Sequence, residues 1–242
     1  MLLPHYGTVM LDWHDTLSRG LYWQQWRDDP ARVETLIRLQ TLLFADDTAF
    51  MHEAMRNTFT VEDACARLAP QVGVDPVELH AELRKSCEAM TVAPETLAAM
   101  AALGSYGVTV LIATDSTATF QRWTVPALGL RYYCDGILDS SRLGVLKAGI
   151  GPDGESLFFG PWVAAHPERA PFLLIDNLPQ PGAQAAGIEV QPTSGPEQTL
   201  ALLRELVAAE RAARGLPDEP AVVWGGQRSR AAEYVVRRDP AR

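Results

Sequence analysis

The interpretation of this chain depends on the stretch Gly7-Thr8-Val9-Met10-Leu11-Asp12-Trp13-His14-Asp15-Thr16-Leu17. A short apolar run with β-branched residues is typical of a buried strand, and this run ends abruptly at an acid. Open α/β sheets bind their ligands at the carboxyl ends of their strands, which is where Asp12 would lie. The alternative is a strand followed by an acid-rich turn, because aspartate is common in turns. This stretch alone leaves both interpretations open.

The composition is that of an ordinary globular protein. The chain has 242 residues, 47% hydrophobic and 21% charged, which is enough for one large core or a core with a small second domain. Its formal net charge of −9 argues against nonspecific binding to nucleic acid or to an anionic membrane. No membrane span is expected. Cys65, Cys87 and Cys134 form neither a disulfide framework nor a zinc pattern, so we expect a reducing, cytoplasmic setting.

Residues 19–90 are predicted to be all-helical. Apolar residues recur there at helical spacing, and one helix is predicted from Asp47 to Asn57. Thr60-Val61-Glu62-Asp63 resembles a capping box with aspartate in place of glutamate. Asp75-Pro76 is a typical helix start. The pattern therefore predicts a helical block that interrupts the chain after its first strand.

Strands alternate with helices in the rest of the chain. The further predicted strands are Val108–Ala113, Gly136–Leu138, Phe172–Ile175 and Ile188–Val190. A helix is predicted from about Thr117 to Leu128, and a strong amphipathic helix from Pro196 to Arg214. This alternation indicates a parallel sheet with right-handed crossovers. We therefore predict an α/β fold with a Rossmann-like core (1–18 and 91–214), an inserted helical cap (19–90) and a C-terminal tail (215–242). The tail is expected to be solvated, or to pack on the body or on a second subunit of a homodimer.

Polar side chains end three of the predicted strands. Asp12 ends the first, Thr114-Asp115 the second and Asp176 the fourth. Because the carboxyl ends of parallel strands share one edge, we expect these groups to converge. One such ending would be an ordinary turn, whereas three together favour a site. Lys147, one of only two lysines in the chain, would by itself be a solvated surface group.

Taken in order, these motifs resemble the haloacid dehalogenase-like (HAD) hydrolase superfamily. Its members show Asp-x-Asp-Gly-Thr-Leu after strand one, Ser or Thr after strand two, a later Lys, and acids before an Ala-rich helix. The matching segments are Asp12-Trp13-His14-Asp15-Thr16-Leu17, Thr114-Asp115, Cys134-Asp135-Gly136-Ile137-Leu138-Asp139-Ser140 with Lys147, Leu174-Ile175-Asp176-Asn177 and Ala183-Gln184-Ala185-Ala186-Gly187. The resemblance covers about residues 5–210, and its specificity lies in the order and spacing of individually weak motifs.

The resemblance implies an aspartyl-phosphate mechanism. The Asp12 carboxylate would attack phosphorus, and water would hydrolyse the product. Mg²⁺ would bind Asp12, Asp176 and the backbone carbonyl of His14, and would offset the repulsion between carboxylate and phosphate. Thr114 and Lys147 would hold phosphate oxygens and developing charge.

Three positions depart from the family pattern. His14 replaces the Asp that serves as acid/base in the family's phosphatases; an imidazole can in principle do both proton transfers. Asp15 replaces a Gly, and Asp tolerates a left-handed backbone better than most residues. Asn177 replaces a second acid and could orient a metal-bound water.

We therefore expect a Mg²⁺-dependent phosphatase acting on a small phosphorylated metabolite. One alternative is a catalytically impaired HAD-like binding or regulatory protein, which the loss of the acid at His14 favours. Another is a HAD enzyme with a different leaving group, a dehalogenase or C–P hydrolase. Asp115, Arg56 and Trp13 are further candidate contacts with a ligand. The simpler interpretations are that Asp115 lies in a turn, that Arg56 lies on a solvated helix face and that Trp13 packs in the core.

Overall fold

The computed structural model describes residues 5–216, which contain one five-stranded sheet. The strands are β1 (Thr8–Leu11), β2 (Thr109–Thr114), β3 (Gly136–Asp139), β4 (Phe172–Asp176) and β5 (Glu189–Pro192). Their order across the sheet is β3-β2-β1-β4-β5, and every neighbouring pair is parallel. The predicted α/β fold with a parallel sheet is confirmed, and β1 is its central strand.

Helices cover both faces of the sheet and fill the segment between β1 and β2. They are α1 (Val33–Thr41), α2 (Thr48–Met55), α3 (Val61–Val72), α4 (Pro76–Glu88), α5 (Pro94–Ser105), α6 (Val125–Leu128), α7 (Ser140–Leu143), α8 (Gly160–Ala165), α9 (Pro181–Ala185) and α10 (Pro196–Ala213). Short 3₁₀ turns occur at Gln24–Asp28, Leu130–Tyr132 and Pro167–Arg169, and π-helical turns at Leu42–Asp46 and Phe120–Thr124. We call residues 19–90 the helical insert; its status as a separate cap domain stays a prediction.

The three central strands, β1, β2 and β4, are buried on both faces because most of their residues are apolar. Val9 and Leu11 of β1 belong to one large hydrophobic cluster, which continues into the helical insert through Leu39 and Leu79. Met10 points the other way, into a smaller cluster. All residues of β1 and β4 are buried. Polar chemistry is therefore confined to the strand ends.

The structure differs from the predicted helices in two places. The helix predicted from Thr117 to Leu128 is divided into a loop, a π-helical turn and α6, because Pro126 lacks the N–H that a continuous α-helix needs. The short helices α7 and α8 were not predicted, since four to six residues are too few to show helical periodicity. The predicted tail from residue 217 onward lies outside the described residues. No helix within residues 5–216 is long and apolar enough to cross a membrane.

The predicted capping box at the start of α3 is confirmed. The Thr60 hydroxyl accepts a hydrogen bond from the Asp63 backbone N–H at 3.0 Å. In return, the Asp63 carboxylate accepts one from the Thr60 backbone N–H at 3.1 Å. Two otherwise unpaired donors at the helix N-terminus are thereby satisfied.

Replacing Thr60 with Ala should lower the free energy of unfolding by about 1 kcal/mol, the usual effect of losing an N-cap side chain. Chemical denaturation measures this value. Thr48→Ala is the matched control, because Thr48 is exposed at the first position of α2 and its side chain makes no hydrogen bond within the described residues. Equal stability of the two variants would show that the capping box contributes nothing.

Candidate active site

Three of the predicted site residues meet at the carboxyl edge of the sheet. Asp12 directly follows β1, and its backbone N–H donates to the carbonyl of Ile175 in β4 at 3.0 Å. Thr114 and Asp176 are the last residues of β2 and β4, the two strands that flank β1. Because adjacent strands lie about 4.8 Å apart, this register brings the three residues together.

Lys147 joins the two acids of this edge. Its Nζ donates to Asp12 Oδ1 at 2.6 Å and to Asp176 Oδ2 at 2.7 Å. The three side chains are almost fully buried, with exposed fractions of 4% for Lys147, 7% for Asp12 and 0% for Asp176. Lys147 is therefore not a solvated surface group. It is part of a buried cluster of charges.

Burial and attraction act in opposite directions on these charges. Burial acts to lower the pKa of Lys147, but the carboxylates of Asp12, Asp176 and Asp115 outweigh it and raise that pKa, so the ammonium stays charged. Burial raises the pKa of the Asp12 carboxyl above its ordinary value, against the opposing attraction of the Lys147 ammonium. With both acids ionised, the cluster of Asp12, Asp176 and Lys147 carries one net negative charge.

The backbone of Lys147 is held in place by two neighbours. The Asp115 carboxylate accepts a hydrogen bond from the Lys147 N–H at 2.9 Å. Gly182, in α9, lies so close that an added Cβ would stand 2.0 Å from the Lys147 carbonyl oxygen. The sequence interpretation did not single out Gly182; the only signal was a glycine inside an alanine-rich helix. This contact explains why a residue without a side chain is needed there.

Hydrogen bonds also connect the loop after β2 to the start of α7, which follows β3. The Ser140 hydroxyl accepts from the Ser116 N–H at 3.0 Å and donates to the Ser116 carbonyl at 3.1 Å. Thr114 pairs in register with Asp139 and is 1% exposed. Its hydroxyl has no hydrogen-bond partner among residues 5–216, which leaves it available to a ligand at the edge.

His14 stands apart from the buried charges. Its side chain is 49% exposed, and its Nε2 lies 3.6 Å from the Asp15 carboxylate rather than against Asp12. Asp15 has a φ of 52°, in the left-handed region that favours glycine. This agrees with the family pattern, in which Gly occupies the position of Asp15. The turn is closed by the Asp15 N–H, which donates to the Ser18 carbonyl at 2.8 Å. The structure thus places the imidazole on the outer side of this loop.

The remaining candidates do not join the cluster. Trp13 is buried, with its ring centroid 4.9 Å from that of Phe120, so it packs in the core. Asn177 is half-buried after β4, and Arg56 is exposed at the C-terminal end of α2. Thr16, which was not singled out, donates weakly to Asp12 Oδ2 at 3.4 Å.

The donors at the edge fit a hard divalent cation such as Mg²⁺. Asp12 and Asp176 are buried carboxylates that converge on one point, and Mg²⁺ usually binds to one or two carboxylates, keeping waters or phosphate oxygens as its other ligands. Within the described part of the chain, no group of three or more His, Cys, Asp or Glu side chains could hold a metal ion. The remaining ligands would therefore come from the backbone, water or substrate.

Replacing Lys147 with Met should lower the free energy of unfolding by about 3–5 kcal/mol, because it leaves two buried carboxylates without a counterion. Urea denaturation tests this expectation. Lys85→Met is the matched control: Lys85 is the other lysine, and its exposed pair with Glu82 is worth at most about 1 kcal/mol. A Lys147→Met protein as stable as this control would contradict the proposed electrostatic role.

Comparison with known proteins finds structural neighbours but no sequence relatives. No family model and no curated protein matches the chain. The HAD family enzyme bt-2542 from Bacteroides thetaiotaomicron, in a magnesium complex, is 12% identical and superimposes with a TM-score of 0.60 over 83% of this chain and 100% of that one. The same enzyme with magnesium and inorganic phosphate is 12% identical, with a TM-score of 0.54 over 76% and 92% of the two chains.

A second neighbour has a different chemistry. The L-2-haloacid dehalogenase from Xanthobacter autotrophicus, with chloropropionic acid covalently bound, is 16% identical and has a TM-score of 0.52 over 78% of this chain and 77% of that one. At these identities the likeness concerns the fold. Together with the motif order and the strand order, it shows that this chain has the fold of the HAD-family enzymes.

Proposed function

We propose that the protein is a Mg²⁺-dependent HAD-type hydrolase, a phosphatase that acts through an aspartyl-phosphate. The observation that carries this proposal is the buried cluster of Asp12, Asp176 and Lys147 at the carboxyl edge of the sheet. A neighbour of the same fold binds magnesium and inorganic phosphate, which supports the same ligands here.

Asp12 is the proposed nucleophile. Lys147 holds its Oδ1, and Oδ2, which has a weak 3.4 Å contact with Thr16, is the oxygen that would attack phosphorus. The lone pair of Oδ2 would form the new P–O bond as the ester oxygen leaves, and water would then cleave the acyl phosphate. Thr114, with its free hydroxyl, and Lys147 would bind the phosphoryl oxygens.

Asp12 and Asp176 would hold the cation. When bound, Mg²⁺ would supply positive charge that offsets the repulsion between the attacking carboxylate and the anionic phosphate. Asp176 is well suited to a fixed ligand role, because its Oδ1 already accepts a hydrogen bond from the Leu178 N–H at 2.8 Å. Asn177, half-buried beside it, would orient a water ligand.

His14 is the proposed acid/base. It lies two residues after the nucleophile, and its side chain is free to turn because its polar contact with Asp15 is long, at 3.6 Å. As imidazolium it would protonate the leaving oxygen, and as neutral imidazole it would accept a proton from water.

A dehalogenase is the second candidate function. Its support is that Lys147 already places one positive charge between the carboxylates, and that a halide leaves as an anion without needing a proton from His14. The C–P hydrolase alternative needs a lysine from the cap for a Schiff base. Lys85 is exposed and paired with Glu82, which does not support that chemistry.

Removing metal separates the two candidates. EDTA should abolish phosphate release from a panel of phosphomonoesters, and Mg²⁺ should restore it, because the carboxylates alone would repel the substrate. Turnover of a 2-haloacid that survives EDTA would instead establish the dehalogenase.

Calorimetry of Mg²⁺ binding tests whether Asp176 is a metal ligand. Asp176→Ala should weaken Mg²⁺ binding at least about tenfold by calorimetry, since it removes one of two carboxylate ligands. Asp153→Ala, in an exposed loop, should bind as the parent does. Unaltered binding in both variants would remove Asp176 from the metal site.

Substitutions at His14 test the acid/base. His14→Ala should lower kcat on an alkyl phosphate by about 10²–10⁴, and by less on nitrophenyl phosphate, whose leaving group barely needs a proton. His14→Asp should retain or raise activity. His166→Ala, at a histidine stacked on Trp162, is the control.

The pattern across these variants decides the role of His14. If His14→Ala matches the parent on both esters, the imidazole takes no part. If the parent is inactive and His14→Asp gains activity, the natural protein is a binding member of the fold.

A further inference from the structure

Helix α1 and the π-helical turn that follows it form one continuous helix, because Leu42 keeps a right-handed helical backbone between them. The inner side of this helix is buried through Leu36, Leu39 and Leu43. Its outer side carries exposed residues at helical spacing, which we call the α1 stripe: Ile37, Arg38, Thr41, Phe44, Ala45 and Asp46. One face of the helix is therefore buried, and the opposite face is open to solvent.

The α1 stripe contains two large apolar side chains. Ile37 is 61% exposed and Phe44 is 49% exposed. A single exposed apolar residue is ordinary, but these two lie seven residues apart, on the same side of one helix and about 10 Å from each other along its axis. Between them, the Thr41 hydroxyl donates to the Ile37 carbonyl at 2.9 Å, so covering Thr41 would leave no polar group unpaired. An apolar row of this kind favours contact with another protein surface.

The stripe also carries two unpaired charges, one on each side of Thr41. Arg38 lies three residues before Thr41, and Asp46 lies five residues after it. Both side chains are exposed, and neither has a hydrogen-bond or ion-pair partner within residues 5–216. The stripe therefore presents a free positive charge toward one end and a free negative charge toward the other.

Two copies of the stripe are complementary when their helices run antiparallel. At a rise of about 1.5 Å per residue, Arg38 lies about 4.5 Å before Thr41 and Asp46 about 7.5 Å after it. A two-fold axis at Thr41 would bring Arg38 of each copy close to Asp46 of the other, with an axial offset of about 3 Å that a long side chain spans. The same axis places Ile37 opposite Ala45, a large side chain opposite a small one. A parallel arrangement would instead set like charges against each other.

The other acids near the stripe are compatible with this arrangement. Glu34 would face Thr48, which is exposed and uncharged. The Asp47 carboxylate is the N-cap of α2 and accepts a hydrogen bond from the Phe50 N–H at 2.9 Å. The whole chain has a net charge of −9, so two copies repel each other at long range. Association of two copies therefore needs a local pairing of opposite charges, and the stripe offers one.

We propose that the α1 stripe is a self-association surface, through which two copies of this chain form an antiparallel dimer with two-fold symmetry. The occupant is a second copy because the stripe complements itself at both its apolar and its charged positions. Such an isologous contact uses the same patch on both copies. One helix from each copy makes a small interface, below about 1,200 Å² in total, so the dimer should exchange with monomer.

Sedimentation of the full chain measures this association. The parent should change from monomer to dimer between about 1 and 100 µM, the range in which a weak complex forms. Phe44→Glu should raise the dissociation constant at least about tenfold, because it would cover a charge with apolar surface. Val77→Glu is the matched control: Val77 is 75% exposed on α4, outside the stripe, so this variant should dimerise as the parent does. Thermal unfolding checks that both variants are folded.

An exchange of charges tests the antiparallel arrangement. Arg38→Asp and Asp46→Arg should each raise the dissociation constant at least about tenfold, because each replaces two attractions with two repulsions. An equimolar mixture of these two variants should recover the dimer, since each copy then presents charges of one sign to charges of the opposite sign. Both positions are exposed, so neither substitution disturbs the core.

These measurements have distinct outcomes. A parent that stays monomeric over this range, as it would if another part of the chain or a different protein covered the stripe, refutes the inference. A dimer that is equally strong in Phe44→Glu and in Val77→Glu forms through another surface and also refutes it. If Phe44→Glu weakens the dimer but the mixture of charge variants does not recover it, the antiparallel pairing is wrong.

Discussion

The ammonium of Lys147, held between the carboxylates of Asp12 and Asp176, is the interaction on which the site depends. Two carboxylates at adjacent strand ends repel each other, and burying either one without a counterion would be strongly unfavourable. Lys147 lies on a loop, so its position must be fixed from outside the sheet. Asp115 does this by binding its backbone N–H, and Gly182 by leaving room for its carbonyl.

The parallel sheet explains why these charges meet. Its central strand β1 is buried along its whole length and is flanked by β2 and β4, so charged residues are tolerated only where these strands end. Because all five strands run in the same direction, these ends share one edge. The chain leaves that edge after β1 and forms the helical insert before it returns as β2.

The sheet edge is charged and buried, and its donors are suited to an anion with a divalent cation. The exposed His14 is the part of the site that departs most from the phosphatase pattern.

Local sequence patterns were enough to predict most of the helices and strands and the polar residues that end the strands. Apolar runs, capping residues such as Thr60 and the polar strand ends at Asp12, Thr114 and Asp176 are local signals, and local signals are enough to predict an α/β sheet with its site at one edge. The order of the motifs was enough to predict the HAD fold.

Which of these groups touch depends on how the whole chain packs, and the folded structure shows it. It placed Lys147 between two acids, turned His14 outward, and brought Gly182 against the Lys147 backbone. It also enclosed a small apolar space between the helical insert and the loop of Thr117, Ala118 and Thr119. Such contacts join residues far apart in the chain, and they depend on side-chain direction and packing that no local pattern encodes.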